Sequence, residues 1–461
     1  MKPIHVYRKI IRNGVEIKVK NKKYQVTYES FIWKKFPKSL HRFFADSLSY
    51  ISTWHLSLID EAPVVYHFPH PPIEPLFFKL LLYSIPMNIF ENKINGLTTS
   101  QLLKKFYNFS FQTKFKSLNH PYMGKHVKKM LKERALLLFS FGKDSLLTFA
   151  LLEELGVKVI PVFMREPQSS FENAHKRKLA ERFYNKFEEE VVFFPLSIGR
   201  LRQAEDLCWG WDIILSQYSL ILLPYYFAYK TKYVFFGNEQ SCNFYLYDQE
   251  KFLVNPVFEQ SIYAMQHLND IPKQFLINTH IGSLVEPIHE IFISYILHHR
   301  YPDFGRFQMS CFSEEERAKK KRWCGVCEKC ARMYIFFKAL NFSPERVGFY
   351  EEMLSNDKEK YFVIFDDGKV ESTYGSSGLG KDEQLLAFYL AYKNGAKGAL
   401  IEKFKQRYLN EVEKKKDKLI EEYFGIHSSF SLPSSLRGKV LRIYKKEQEK
   451  VLKYIKRITS T

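Results

Sequence analysis

Cysteine is scarce: six residues in a chain of 461. That is too few for a disulfide framework in a chain of this length and suits a reducing compartment. Long apolar runs are missing as well. The longest, Ile213 to Tyr229, carries Ser216, Gln217, Ser219 and Pro224 and falls short of the roughly 20 residues of a membrane-spanning helix. Its nearly all-round apolar character predicts a buried helix beside a sheet, and no membrane span is expected. The opening residues, Met1-Lys-Pro-Ile-His, hold no apolar stretch, so no secretory signal is expected and the expected location is cytoplasmic. Internal repeats and long low-complexity segments are absent. Acidic residues are in deficit, 50 against 70 Lys and Arg, for a formal net charge of +20. The excess favours anionic partners such as nucleotides, phosphorylated metabolites, nucleic acid or acidic membrane surfaces, without choosing among them. Global disorder is excluded by 46% hydrophobic and 16% aromatic content.

Three regions follow from the patterning. Residues 1–130 read as an α+β region. Val15–Lys20 and Tyr24–Tyr28 alternate with period two around Asn21-Lys-Lys and predict a hairpin. Ser47–Ser57 is helix-like, the prolines between His67 and Pro75 predict a loop, and Phe77–Tyr83 predicts a helix. Residues 131–345 alternate between strands and helices. Strands are expected at Ala135–Phe139, Val157–Val162, Val191–Phe194 and Tyr233–Phe236, with helices at Asp144–Leu155, Glu172–Glu188 and Asp212–Tyr229. Such runs predict an α/β fold with a parallel sheet, whose ligands bind beyond the carboxyl ends of the strands. Residues 346–461 begin with an expected hairpin, Phe362–Val370, turned by Asp367-Gly368. Helices follow at Asp382–Lys393, Leu400–Phe424 and Leu436–Ile458, with a linker at Ser428–Ser435.

The most informative segment is Ser140-Phe141-Gly142-Lys143-Asp144-Ser145, between the first strand of the α/β region and its helix. Unpaired N–H groups at a helix start suit phosphate. Gly142 lets the backbone approach a ligand, Ser140 and Ser145 offer hydroxyls, and Lys143 offers a point charge. Asp144 can cap the helix or help hold Mg²⁺. A second concentration of chemistry is Cys311, Cys324, Cys327 and Cys330, spaced Cys-x12-Cys-x2-Cys-x2-Cys. Four thiolates suit a closed, structural tetrahedral Zn²⁺ site. An iron–sulfur cluster or bare thiols are the competing readings. Cys208 and Cys242 stand alone and read as small buried hydrophobes.

Ser140–Ser145 resembles the Ser-Gly-Gly-Lys-Asp-Ser signature of the PP-loop ATP pyrophosphatases, with Phe141 where that signature carries glycine. A PP-loop followed by a four-cysteine cluster resembles two groups. One is 7-cyano-7-deazaguanine synthase. The nearer is the UDP-N-acetylmuramoyl-L-alanyl-L-glutamate epimerase family, through Gly237-Asn238-Glu239-Gln-Ser241, Val254-Asn255-Pro to Gln260-Ser261, Glu286-Pro287-Ile-His289-Glu290, Gln308-Met-Ser310-Cys311 and Arg322-Trp323-Cys324-Gly-Val-Cys327-Glu-Lys-Cys330. The resemblance implies a PP-loop core that adenylates a substrate carboxylate and releases AMP and pyrophosphate. Its cofactors would be ATP, Mg²⁺ and a structural Zn²⁺, and its substrate an anionic molecule like a UDP-muramyl dipeptide. The terminal L-glutamate would be inverted. A nucleic-acid or nucleobase modification enzyme and a non-catalytic nucleotide-binding relative are the alternatives. The chain departs from the epimerase pattern at Gly210-Trp211-Asp212 and over 372–382, where it has no cysteine.

On this reading Lys143, Asp144 and Glu239 are the catalytic candidates. Ser140, Gly142, Lys143, Asp144, Ser145 and Asn238 would bind ATP, with Glu239 holding Mg²⁺ or acting as base. Glu286 and Glu290 either contact substrate or offset a helix dipole. His289 reads as a packed or exposed helix residue rather than a catalyst. Gly375-x4-Gly380-Lys381-Asp382 nearly matches a Walker A pattern, but a carboxylate stands where a hydroxyl is required, so it reads as a mobile loop closing over substrate. The basic C-terminal helices read as solvated faces rather than a nucleic-acid surface.

Overall fold

Alternation along each central strand sends neighbouring side chains to opposite faces, and here each face meets its own apolar layer. Ala135 and Leu137 face one core while Leu136 faces the other; Tyr233 and Phe235 are likewise separated from Val234 and Phe236. A strand buried on both faces belongs to a covered parallel sheet. The computed structural model describes residues 2–92, 96–117, 131–204, 207–208, 213–365 and 378–460. Its central sheet has five strands, in spatial order His280–Gly282, Thr231–Phe235, Lys132–Leu138, Lys158–Arg165 and Val192–Pro195. Every neighbouring pair is parallel.

The layer on one face comes from the N-terminal region. Ile4–Ile11, Gly14–Val19, Lys22–Thr27, Val64–Tyr66 and Lys114–Phe115 form a mixed sheet. The expected hairpin is present: Gly14–Val19 pairs antiparallel with Lys22–Thr27. Its two-residue turn, Lys20-Asn21, has both residues at positive φ, 48° and 60°, which matches strand twist. Ile4–Ile11 escaped the pattern because alternation fails after Val6 at Arg8-Lys9. Buried residues of this region, including Phe44, Leu48 and Trp54, share one apolar cluster with Leu136, Ile160 and Phe194 of the central sheet. The N-terminal region therefore packs as a layer of the central domain.

The other face is covered by Lys143–Glu154, Ser170–Phe187 and the helices from 290 onward. Ser434–Thr459 buries Leu436, Val440, Tyr444, Val451 and Ile455 in the same cluster as Leu137 and Phe235. Several expectations need correction. The helix expected over Asp212–Tyr229 is two helices, Ile214–Ile221 and Leu223–Tyr229, because Pro224 begins a new first turn. The helix expected over Leu400–Phe424 is split into Ala399–Arg407 and Leu409–Tyr423 at Tyr408, whose φ is −124°. Val363–Phe365 forms a 3₁₀ turn rather than a strand; the Asp367-Gly368 turn lies outside the described residues. Gly380, Lys381 and Asp382 lie inside helix Gly378–Lys393, and Asp382 pairs with Lys415 at 2.8 Å, so they form no loop. Gly375 and Gly210–Asp212 lie outside the described residues. Ser428–Ser435 is an ordered strap rather than a free linker. Among the described residues no helix is long and apolar enough to cross a membrane.

Candidate functional site

The strand order changes direction between Lys132–Leu138 and Thr231–Phe235, where consecutive crossovers leave the sheet in opposite directions; in such sheets the carboxyl ends at this point are the usual place for a ligand. Ser140–Ser145 follows the first of these strands. Gly142 is extended and precedes helix Lys143–Glu154, and no side chain caps that helix. Its first-turn N–H groups lack intrahelical acceptors, the general condition for anion binding. Ser145 Oγ donates to the Gly142 carbonyl at 3.2 Å and the Gly142 N–H to Ser140 Oγ at 3.3 Å, so both hydroxyls lie on the loop. Gly237, just past the second strand, approaches so closely that a Cβ there would sit 2.8 Å from Asp144 Cβ.

Phe141 occupies the conformation that glycine favours, with φ +56°. The ring compensates. It is fully buried, 4.6 Å from Phe139 and 5.7 Å from Phe183 by centroids, and its carbonyl accepts from the Met309 N–H at 2.8 Å. Phe141→Gly would relieve about 1–2 kcal/mol of left-handed strain and lose about 3–5 kcal/mol of aromatic burial. We expect thermal unfolding to report a net loss on the order of 2 kcal/mol.

Three successive strand ends bring charge to one point. Lys143 Nζ, 1% exposed, lies 2.6 Å from Asp144 Oδ1 and 2.9 Å from Glu290 Oε1. Glu290 also meets Lys329 and Arg332, each at 2.9 Å. Burial alone would lower the Lys143 pKa, but the carboxylates of Asp144, Glu290 and Glu239 outweigh it and hold the ammonium charged. Burial likewise opposes ionisation of Glu290, and Arg332, Lys143 and Lys329 reverse it, leaving the carboxyl well below its usual range. Glu239 goes the other way: burial, then the charge on Glu290, lifts it to about 7, against the pull of Lys143. A carboxyl poised there accepts or releases a proton near neutrality.

Of the sequence candidates, Lys143, Asp144 and Glu239 meet here, with Ser140, Gly142 and Ser145 on the adjoining loop. Asn238 is buried. Its carbonyl accepts from Ser283 Oγ at 2.6 Å, and its amide nitrogen has no hydrogen-bond partner among the described residues. Glu286 is committed elsewhere: it accepts from Ser428 Oγ at 2.8 Å and the Phe430 and Ser431 N–H groups at 3.0 and 2.6 Å, pinning the 428–435 strap. His289 is buried and packed. Its Nδ1 is 2.9 Å from Ser241 Oγ and its Nε2 3.1 Å from Glu422 Oε1. The Ser241 N–H donates to Glu239 at 3.0 Å, so this chain of contacts links Glu239 to the C-terminal helices.

The four cysteines converge. The sulfurs of Cys311, Cys324, Cys327 and Cys330 all lie within 4.8 Å of one another and could hold a metal ion such as zinc. Gly325 takes φ +68° between Cys324 and Cys327. The Val326 and Cys330 N–H groups point at the sulfurs of Cys324 and Cys327, each at 3.4 Å. A closed set of four thiolates with N–H support fits a structural ion. Cys327 also opens helix Glu328–Ala339, which carries Lys329 and Arg332 to Glu290. Lys176 adds a second link, donating to the carbonyls of Ser140 and Met309. Sequence reading missed Lys176, Lys329, Arg332 and Glu383, which accepts from the Ile291 N–H at 2.9 Å. The three-residue spacing of Lys329 and Arg332 within the cysteine segment was the available signal. Cys242 is buried, as expected of a lone cysteine.

No family model matches the chain, and no curated protein or solved structure is significantly similar to it.

Proposed function

We propose that the chain is an ATP-dependent enzyme of the PP-loop type, which adenylates a substrate carboxylate and releases AMP and pyrophosphate. The observation that carries this reading is the convergence of an uncapped helix start, a buried charged lysine and two carboxylates beyond the carboxyl ends of a parallel sheet. The loop N–H groups and Lys143 would receive the phosphates of ATP. Asp144 is the carboxylate that would hold Mg²⁺, whose chemistry would be neutralisation of phosphate charge.

The sharpest form of the proposal, on the resemblance to UDP-N-acetylmuramoyl-L-alanyl-L-glutamate epimerases, is inversion of the terminal glutamate. A carboxylate resists loss of its α-proton because a carbanion would add negative charge beside it. An acyl adenylate lacks that charge and gives up the proton more readily. Glu239, half ionised near pH 7, is the base this chain offers; a proton returned to the other face and cleavage of the adenylate by water would then give the D-epimer carboxylate and AMP. Incubation with UDP-N-acetylmuramoyl-L-alanyl-L-glutamate, ATP and Mg²⁺ should yield the D-glutamyl product together with AMP. AMP release without inversion would keep adenylation and reject epimerisation. AMP formed only with a nucleobase or tRNA acceptor would transfer the reading to nucleic-acid modification.

The same carboxyl sets a pH dependence. Its folded pKa is raised to about 7, so turnover that needs the ionised form should rise through pH 7 and level off above it. Stability runs oppositely: the fold prefers the protonated acid, so this group's contribution falls between the ordinary carboxylate range and pH 7. In Glu239→Gln both dependences should vanish, as read by pH–rate profiles and pH-dependent melting.

A further inference from the structure

The chain holds a second concentration of positive charge with no part in the site above. A cleft of about 990 Å³ opens between helix Ser170–Phe187 and the segments 302–306, 320–323 and 342–351. Seven lysine and arginine side chains line it against two glutamates. Part of that charge is spent locally: Lys321 pairs with Glu351, and Arg306 lies 3.5 Å from Asp303. Lys178, Arg182, Lys320 and Arg322 have no carboxylate partner among the described residues. Arg322 is only partly exposed, and its guanidinium lies 3.0 Å from where a Cβ on Gly348 would stand. Gly348, at φ +70°, leaves that space open.

The floor beneath is rigid. Trp323 stacks on Phe349 with ring centroids 4.9 Å apart and planes 6° apart, and its indole N–H donates to the Val347 carbonyl at 2.9 Å. At the rim Tyr350 is 79% exposed, a free aromatic face beside the cations. Grouping guanidinium and ammonium groups of one sign around a concavity costs mutual repulsion, which a bound anion relieves. Arginine's planar fork suits phosphate oxygens. The cleft has the volume of a small-molecule site, and Arg322 sits on its floor rather than on an outer ridge where a nucleic-acid backbone would run.

We propose that this cleft binds a small molecule carrying two or more phosphates, a nucleoside diphosphate being the best fit. Arg182 and Arg322 would hold the phosphates, Lys178 and Lys320 would add charge, and Tyr350 would stack on the base. The site is independent of the reading of the Ser140–Ser145 loop, because the two share no residue.

Calorimetric titration of ADP, UDP and inorganic pyrophosphate into the full-length protein tests this, alongside Lys143→Ala to disable the loop. All three should bind at physiological salt in both proteins, and AMP at least about tenfold more weakly. In the Lys143→Ala background, Arg322→Ala should weaken binding at least about tenfold. Because it adjoins Trp323 and Cys324, the exposed pair Lys178→Glu and Arg182→Glu serves as the variant that leaves packing intact, with the same expected loss. Binding that survives both changes, or that disappears in Lys143→Ala alone, would overturn the assignment. So would the absence of binding to the intact protein, or RNA binding that saturating pyrophosphate fails to displace.

Discussion

Replacing Lys143 with alanine is expected to lower conversion of ATP to AMP and pyrophosphate at least about 1,000-fold, while the chain stays folded. Both halves follow from one geometry. Lys143 is the buried cation at the loop, and the three carboxylates around it raise its pKa against the effect of burial. Without it, the phosphates would meet Asp144, Glu239 and Glu290 with no charge between. Folding survives because Glu290 keeps Lys329 and Arg332, each at 2.9 Å, and is never left as an unpaired buried charge. Glu239 gives an internal check. Lys143 is the charge that pulls its pKa down, so Lys143→Ala should push the Glu239 titration above 7. Circular dichroism should report a native fold, and a radiolabelled-ATP assay the loss of AMP.

Stripping the metal is expected to have the second-largest effect. Purified protein should carry about one zinc per chain by elemental analysis. Chelation, or Cys324→Ser, should lower the melting temperature by more than 10 °C on the order-of-magnitude scale of structural zinc sites, and ATP turnover should fall in step. The coupling has a path. The Met309 N–H holds the Phe141 carbonyl, Lys176 joins Ser140 to Met309, and the helix opened by Cys327 delivers Lys329 and Arg332. Loss of the ion would loosen the Ser140–Ser145 loop from two sides. Cys242→Ser, at a buried cysteine outside the cluster, is the control and should leave zinc content unchanged. Retained turnover in metal-free protein would mean that the two sites are uncoupled. Iron in place of zinc would select the iron–sulfur reading.

What the sequence revealed divides by the range of the interactions involved. The strand–loop–helix around Ser140–Ser145 was legible because a short apolar run, a glycine and a helix start lie within fifteen residues. The cysteine cluster was legible because its ligands are mostly neighbours in sequence, and the fold brings all four together. Glu290, Lys329 and Arg332 were not legible as one ion cluster, since their meeting depends on how helices Glu290–His299 and Glu328–Ala339 cross. Glu286 illustrates the same limit. In sequence it is a carboxylate at a helix start, and only the fold reveals that residues 428–431, some 140 positions away, have claimed it. Phe141 was marked as a departure from glycine, and the φ of +56° explains why glycine is the usual residue there. The aromatic pocket that makes phenylalanine tolerable is formed with Phe139 and with Phe183 on a later helix, so it could not be read locally. The Val363–Phe365 turn was misread because period two over so few residues does not separate a strand from a buried 3₁₀ turn.

The central claim is cleavage of ATP between its α- and β-phosphates, driven by a carboxylate acceptor. It is tested most directly by product analysis of ATP and Mg²⁺ incubated with the protein and a panel of amino-acid, muropeptide and nucleobase carboxylates. The account predicts AMP and pyrophosphate in equal amounts, formed with one acceptor class and lost in Lys143→Ala. ADP and phosphate, or no turnover with any acceptor, would contradict it.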